Sequence, residues 1–228
     1  MDVLIDLDGT ITDPQSGIIM SVQYALRKLD CAVPEAATLT WVIGPPLRDI
    51  FPTLGVPAEQ VEQALMHYRL NYTGKGAAAG SRQATHPTMF DATVYADIPE
   101  ALAQLKAAGH RLIVCTSKPH VYARPILEHF KLAHFYSAIH GSELDGRNDD
   151  KADLIAHIIR TEAVDPTGAV MIGDRKFDVL GAKSNGIPCI GALWGYGSKD
   201  ELTDACATSL CAAPGDLSDH VAAIGRRS

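Results

Sequence analysis

The residues whose types could do chemistry in this chain fall into four short clusters. The first, Asp6-Leu7-Asp8-Gly9-Thr10, directly follows the apolar run Val3 to Ile5. Two aspartates two residues apart can reach one point if the chain bends at the glycine, although a polar turn capping a strand uses the same residue types. The second cluster is Thr116-Ser117-Lys118, after the apolar run Leu112 to Cys115. Its hydroxyls could donate to phosphoryl oxygens, or could cap a following helix. Lys151 is the third. A surface lysine is the plain explanation, but this one opens a helical pattern, where the helix dipole disfavours a cation. The fourth is Gly173-Asp174-Arg175-Lys176-Phe177-Asp178, after Val170 to Ile172. Asp174 and Asp178 are one helical turn apart, and helix capping would account for one of them only. Hard carboxylate oxygens without clustered His or Cys suit magnesium.

Taken one at a time, each cluster has a bland reading. Together they supply acids, hydroxyls, a cation and further acids at successive strand ends, which are the parts phosphoryl transfer needs.

The elements that must position them are legible in outline. Ile98, Ala101, Leu102, Leu105 and Ala108 keep helical spacing, with Pro99 in the first turn and Gly109 just past the end. A short strand follows from Arg111 to Cys115. The segment Lys151 to Arg160 places Leu154, Ile155, Ile158 and Ile159 on one helical face, and Ala169 to Ile172 is the next strand. A helix from Lys176 to about Asn185 stops at Gly186, before a strand over Ile187 to Ile190. Such alternation predicts an α/β fold with a doubly wound, Rossmann-like parallel sheet, whose ligands bind at the C-terminal edge of the strands. Pro125 predicts that the helix over His120 to Phe130 starts late or kinks.

Residues 17–94 read differently. Gly17 to Leu29 and Ala58 to Tyr72 are helix-like, with Val61, Ala64, Leu65 and Tyr68 on one face, and the breakers Gly44-Pro45-Pro46 lie between them. This predicts a helical cap domain over residues 16–94, inserted into a catalytic core of residues 1–15 and 95–228. Gly74 to Pro87 lacks periodicity and predicts a flexible loop.

Composition narrows the classes. The chain has 228 residues, 46% hydrophobic and 21% charged, with a net charge of −7. That acidity argues against nucleic acid, which needs a basic stripe. An anionic substrate then requires a local reversal of sign by a bound dication and one or two lysines. No apolar run approaches the ~18 residues that span a bilayer. The N-terminus runs straight into a strand, with no basic start or cleavage site, so a cytoplasmic protein is expected. Cys31, Cys115, Cys189, Cys206 and Cys211 keep no metal-ligand spacing, and buried reduced thiols are expected at Cys115 and Cys189.

In this order the four clusters resemble the motifs of the haloacid dehalogenase superfamily, over nearly the whole chain. Gly44-Pro45-Pro46-Leu47, Gly141 to Gly146 and Trp194-Gly195-Tyr196-Gly197 resemble the branch that holds phosphoglycolate phosphatases and bacterial 5′-nucleotidases. The resemblance implies a phosphatase in which Asp6 is the nucleophile and Asp8 the shared acid and base. It implies magnesium on the Asp6 carboxylate, the Asp8 backbone carbonyl and Asp174, with Asp178 behind them. Thr116 and Ser117 would bind the phosphoryl group, and Lys151 would neutralise it and hold Asp6. The implied partner is a small phosphorylated metabolite, either phosphoglycolate-like or a nucleoside 5′-monophosphate, with no nucleic acid or membrane, for a monomer or dimer. Specificity would lie in the cap around Trp41 to Arg48, where Arg48 could meet the distal end of the substrate, and in the loop with His86. A phosphomutase shares the acid set. A receiver module would place its phosphorylated Asp after a later strand, and a dehalogenase would need neither Asp8 nor the metal acids.

Overall fold

Val3, Leu4 and Ile5 are wholly apolar and buried because β1 (Asp2–Ile5) lies at the centre of a parallel sheet with both faces covered. A computed structural model of the chain describes residues 1–75 and 86–226. Within it the sheet has six strands: β1, then β2 (Arg111–Pro119), β3 (Ala138–Ser142), β4 (Ala169–Gly173), β5 (Cys189–Ala192) and β6 (Ser209–Cys211). Their order across the sheet is β3-β2-β1-β4-β5-β6, every pair parallel. This is the doubly wound arrangement, and its order reverses at β1. The C-terminal end of β1, where Asp6 leaves the strand, is therefore the switch point at which such sheets open a crevice.

The chain divides into two compact units, Met1–Asp13 with Val94–Ser228 and Pro14–Thr93. The second is helical, built on α1 (Gln15–Lys28), α2 (Leu47–Thr53) and α3 (Val61–Tyr72). Ile18, Ile19, Val22, Ala25 and Leu26 form the buried face of α1, and Ala64, Leu65, Tyr68 and Tyr72 that of α3. A polar node sits between these faces. The hydroxyls of Ser21 and Thr88 are 2.7 Å apart, and Asn71 Nδ2 donates to Ser21 Oγ at 3.1 Å. The loop expected from Gly74 to Pro87 falls mostly on residues 76–85, outside the described residues.

In the α/β unit the helices are α4 (Ile98–Ala107), α5 (His120–His129), α6 (Lys151–Glu162), α7 (Lys176–Ser184), α8 (Lys199–Asp204) and α9 (Leu217–Gly225). The buried faces of α4 and α6 carry the expected apolar residues, Ile98, Ala101, Leu102 and Leu105 on one, Leu154, Ile155 and Ile158 on the other. Helix α5 does not start late. It begins at His120 and holds Pro125 inside, which leaves the Val121 carbonyl without its intrahelical donor. Strand β2 runs four residues past the expected end at Cys115, and its register on β3 shifts between Thr116 and Pro119. All five cysteines are free, with Cys115 and Cys189 buried as expected. Among the described residues no helix is long and apolar enough to cross a membrane.

Leu4 is completely buried in the central strand and belongs to the cluster with Ile113, Leu154 and Met171. Leu4→Ala is expected to lower unfolding free energy by about 2–5 kcal/mol, read from chemical denaturation. A loss below about 1 kcal/mol would show that the sheet centre collapses onto the cavity.

Candidate active site

Asp6 follows the last residue of β1 and keeps its backbone in the ladder, its N–H donating to the Ile172 carbonyl at 2.9 Å. The chain then turns at Gly9, whose φ of +85° suits glycine and whose Cα lies so close to the Asp174 carboxyl that a Cβ would overlap it. This turn lets the segment after β1 and the segment after β4 share one space.

Asp6, Asp174 and Asp178, all buried, bring carboxylate oxygens within 4.8 Å of one another. Lys151 stands among them as the first residue of α6. Its Nζ lies 2.8 Å from Asp178 Oδ1 and 3.1 Å from Asp6 Oδ1, and it donates to the Cys115 carbonyl at 3.0 Å. The helix dipole problem at this position is met locally by Asp150, whose carboxylate caps α6 by accepting from the N–H groups of Ala152 and Asp153.

Asp174 is not the cap of α7. Its Oδ2 accepts from the Tyr196 N–H at 2.8 Å and its Oδ1 from the Thr10 hydroxyl at 3.2 Å. The capping is done by Asp178, whose Oδ2 accepts from the Arg175 N–H at 3.1 Å. Each acid thus has a distinct setting, which sequence spacing alone left unresolved.

Asp8 is paired with Lys118, a residue quoted in the second cluster but given no role there. Lys118 Nζ is 2.7 Å from Asp8 Oδ2, while Asp8 Oδ1 is buried with no hydrogen-bond partner. Lys118 lies in the stretch between Thr116 and Pro119 where the register of β2 on β3 shifts. A cation two residues past Thr116, on the same face of an extended strand, was the available signal. Thr116 is buried, and its hydroxyl accepts the Lys118 N–H at 3.2 Å. Ser117 is half-buried, and its carbonyl accepts from the Ser142 hydroxyl at 2.8 Å, tying β2 to β3. Arg48 belongs to the helical unit and pairs there with Glu62 of α3. His86, in the same unit, lies 2.9 Å from Asp91.

The electrostatics follow from crowding. Burial first, then the neighbouring charges of Asp178 and Asp6, pushes Asp174 up to about 8. Burial likewise raises Asp178 and Asp8, each against the opposing pull of its lysine. For Lys151 burial favours the neutral amine, but Asp178 and Asp6 outweigh it and hold the ammonium charged. Fully ionised, the four carboxylates would exceed the two ammonium groups by two negative charges in a buried space. A dication with hard oxygen ligands matches both that charge and the donor set.

Comparison with known proteins agrees in kind. A family model described as haloacid dehalogenase-like hydrolase matches residues 3–192. A Pseudomonas aeruginosa protein named 5′-nucleotidase is 42% identical over 212 residues, 92% of this chain and 90% of its own. A Mycobacterium tuberculosis protein named tyrosine-protein kinase PtkA is 35% identical, over 98% of this chain and 72% of its own. Among solved structures, a predicted phosphatase from Clostridium acetobutylicum superposes with a TM-score of 0.88 at 38% identity, covering 97% of each chain.

The crowding generates a stability prediction. With chelator present and the pH held at about 9, above the value of about 8 to which Asp174 is pushed, Asp174→Asn removes a repelled buried charge and is expected to raise the thermal midpoint of the chain by about 2–4 °C. Addition of a divalent cation should stabilise the natural chain and leave the variant nearly unmoved. Calorimetry in both conditions checks it, and equal gains with metal would remove Asp174 from the ligand set.

Proposed function

The chain belongs to the haloacid dehalogenase-like hydrolases, and we propose that it is a magnesium-dependent phosphatase of small phosphomonoesters that works through phosphorylated Asp6. The observation that carries this reading is the buried cluster of Asp6, Asp174 and Asp178 around Lys151 at the end of the central strand. An anionic nucleophile meets an anionic substrate there, and repulsion is the barrier to overcome.

Asp6, Asp174 and the backbone carbonyl of Asp8 would hold the ion. Asp178 would stand behind, since its two oxygens are already engaged by Lys151 and the Arg175 N–H. Bound magnesium supplies Lewis-acid neutralisation of the phosphoryl oxygens. Lys151 holds Asp6 in line and adds a positive charge next to the transferring group. In the first displacement an Asp6 oxygen bonds to phosphorus as the bond to the leaving oxygen breaks, and Asp8 gives that oxygen a proton. In the second, Asp8 takes a proton from water, whose oxygen bonds to phosphorus and releases Asp6 with inorganic phosphate. Thr116 and Ser117 are the hydroxyls assigned to the phosphoryl oxygens.

The unit Pro14–Thr93 contains none of these groups, which supports assigning it substrate discrimination, as a cap. A substrate anion at Arg48 would displace Glu62, an exposed partner whose loss costs at most about 1 kcal/mol. The P. aeruginosa relative's name favours nucleoside 5′-monophosphates as substrates over phosphoglycolate-like acids. Five free cysteines support a reducing, cytoplasmic setting.

Release of inorganic phosphate from a panel of nucleoside 5′-monophosphates, 2-phosphoglycolate and an aryl phosphate, with magnesium and with chelator, tests the reading. Magnesium-dependent release is expected. Conversion of a phosphorylated substrate to its isomer without phosphate release would make the chain a mutase, and unchanged turnover in chelator would remove the metal.

Two variants probe the steps. Asp6→Asn should fold and lose turnover entirely, because an amide does not attack phosphorus. Asp8→Asn should slow turnover about 10²- to 10⁴-fold, more for alkyl than for aryl phosphates, whose leaving groups need little protonation. With the aryl ester, phosphorylated Asp6 should accumulate and be trapped by acid quench. Equal losses on both esters with no covalent phosphate would exclude Asp8 as the shared acid and base.

A further inference from the structure

We infer that the loop Trp194–Gly197, which follows β5, is the positioning element of Asp174, and that Tyr196 links this acid to the points where the chain leaves and re-enters the α/β unit. The inference rests on the reading of Asp174 as a cation ligand and extends it to residues that touch neither cation nor substrate.

Contact between loop and acid is close. A Cβ on Gly195 would overlap the Asp174 side chain and the Gly9 carbonyl, and one on Gly197 would overlap the Asp174 carbonyl. Only glycines let the loop lie flat against the acid, and the residue between them delivers its N–H to Asp174 Oδ2 at 2.8 Å. The other carboxylate oxygen is fixed by the same loop at one remove. Trp194 Nε1–H donates to the Thr10 carbonyl at 3.0 Å, and the Thr10 hydroxyl donates to Asp174 Oδ1 at 3.2 Å. Both oxygens are thereby oriented, and their remaining lone pairs are left for an ion.

Tyr196 adds the linkage. Its hydroxyl donates to Asp13 Oδ1. Asp13 is the last residue of the α/β unit before the chain departs, and Val94 is the first after it returns. Tyr95, next to Val94, donates its N–H to the Ile11 carbonyl at 3.1 Å and shares a hydrogen bond with the Tyr196 hydroxyl. One side chain thus meets both crossings while its backbone holds the acid. Asp13 and Tyr196 consequently act on the ion through Asp174, as outer partners of a ligand do.

Isothermal titration of the full chain with Mn2+ alone, without substrate, tests this in the natural protein, Tyr196→Phe, Asp13→Ala and the double variant, with thermal midpoints in chelator as a check on folding. Each single variant should weaken Mn2+ binding roughly 3- to 10-fold, the lower end of what an outer partner of a metal ligand costs. The double variant should be no weaker than the poorer single one, since both remove one contact. At saturating metal, kcat on an aryl phosphate should stay within about twofold, because the acid is still present. A lowered thermal midpoint with unchanged Mn2+ affinity would make the contact purely structural and overturn the inference, as would additive losses in the double variant. The phosphatase reading fails separately, by absence of phosphate release from a natural chain that binds Mn2+ and shows the variant differences. A natural chain that takes up no Mn2+ overturns both.

Discussion

An ammonium group without water needs anionic neighbours, and Lys151 obtains two, 2.8 Å from Asp178 and 3.1 Å from Asp6. Those acids in turn are tolerable in the interior only because Lys151 is between them. The dependence runs outward from there. Lys151 can reach the cluster because Asp150 caps α6 at the right residue, and because Gly181 of α7 leaves 2.9 Å between its would-be Cβ and the Lys151 Cγ. Replacing that glycine would push α6 and α7 apart and with them the lysine from Asp178. Helix packing, cap and charge pairing are therefore one constraint.

Lys151 does not balance the site by itself. Among the described residues no lysine pairs with Asp174, and its hydrogen-bond partners are a backbone N–H and a hydroxyl. Neutral donors orient a carboxylate but leave its charge in place, which is why burial and repulsion push it up to about 8. Such a group is costly to fold in the ionised form. Its persistence is understandable if binding energy from an ion offsets the cost, since anything that binds the folded state alone stabilises it. Structural pairing by a third lysine would have been cheaper, and would have closed the site.

How much of this could be read from the residues depends on position in the sheet. Central strands β1 and β4 announce themselves because both faces and both edges are covered, so every side chain from Val3 to Ile5 and from Ala169 to Ile172 is apolar. Strands β3 and β6 lie at the two edges and were not anticipated. Ala138-Ile139-His140 is half-buried, and Ser209-Leu210-Cys211 is three residues long, so neither run carries a hydrophobic signal that stands out from a loop. Helix α2 was hidden behind Gly44-Pro45-Pro46 and an internal Pro52. For the site, the acids and Lys151 were legible because several charged residues at strand ends demand a joint explanation. Lys118 offered a weaker signal, its place two residues past Thr116 on one strand face. Its pairing with Asp8 crosses from β2 to the segment after β1, a partnership that residue types do not disclose.

The same reasoning explains why the loop Trp194–Gly197 could be recognised as a motif before its purpose could be. Its glycines answer to a contact with Asp174 some twenty residues earlier in the chain, and its tryptophan and tyrosine answer to Thr10 and Asp13 near the start. Local sequence holds no trace of those partners. They come together because β5 lies next to β4, and β4 next to β1, so that three consecutive strand ends are neighbours along the sheet edge. Strand order thus does the work of assembly. Each strand end contributes one part, and a part that touches no substrate can still be confined as tightly as a ligand, since a carboxylate that drifts by about 1 Å loses most of its value to an ion or to a reacting phosphorus.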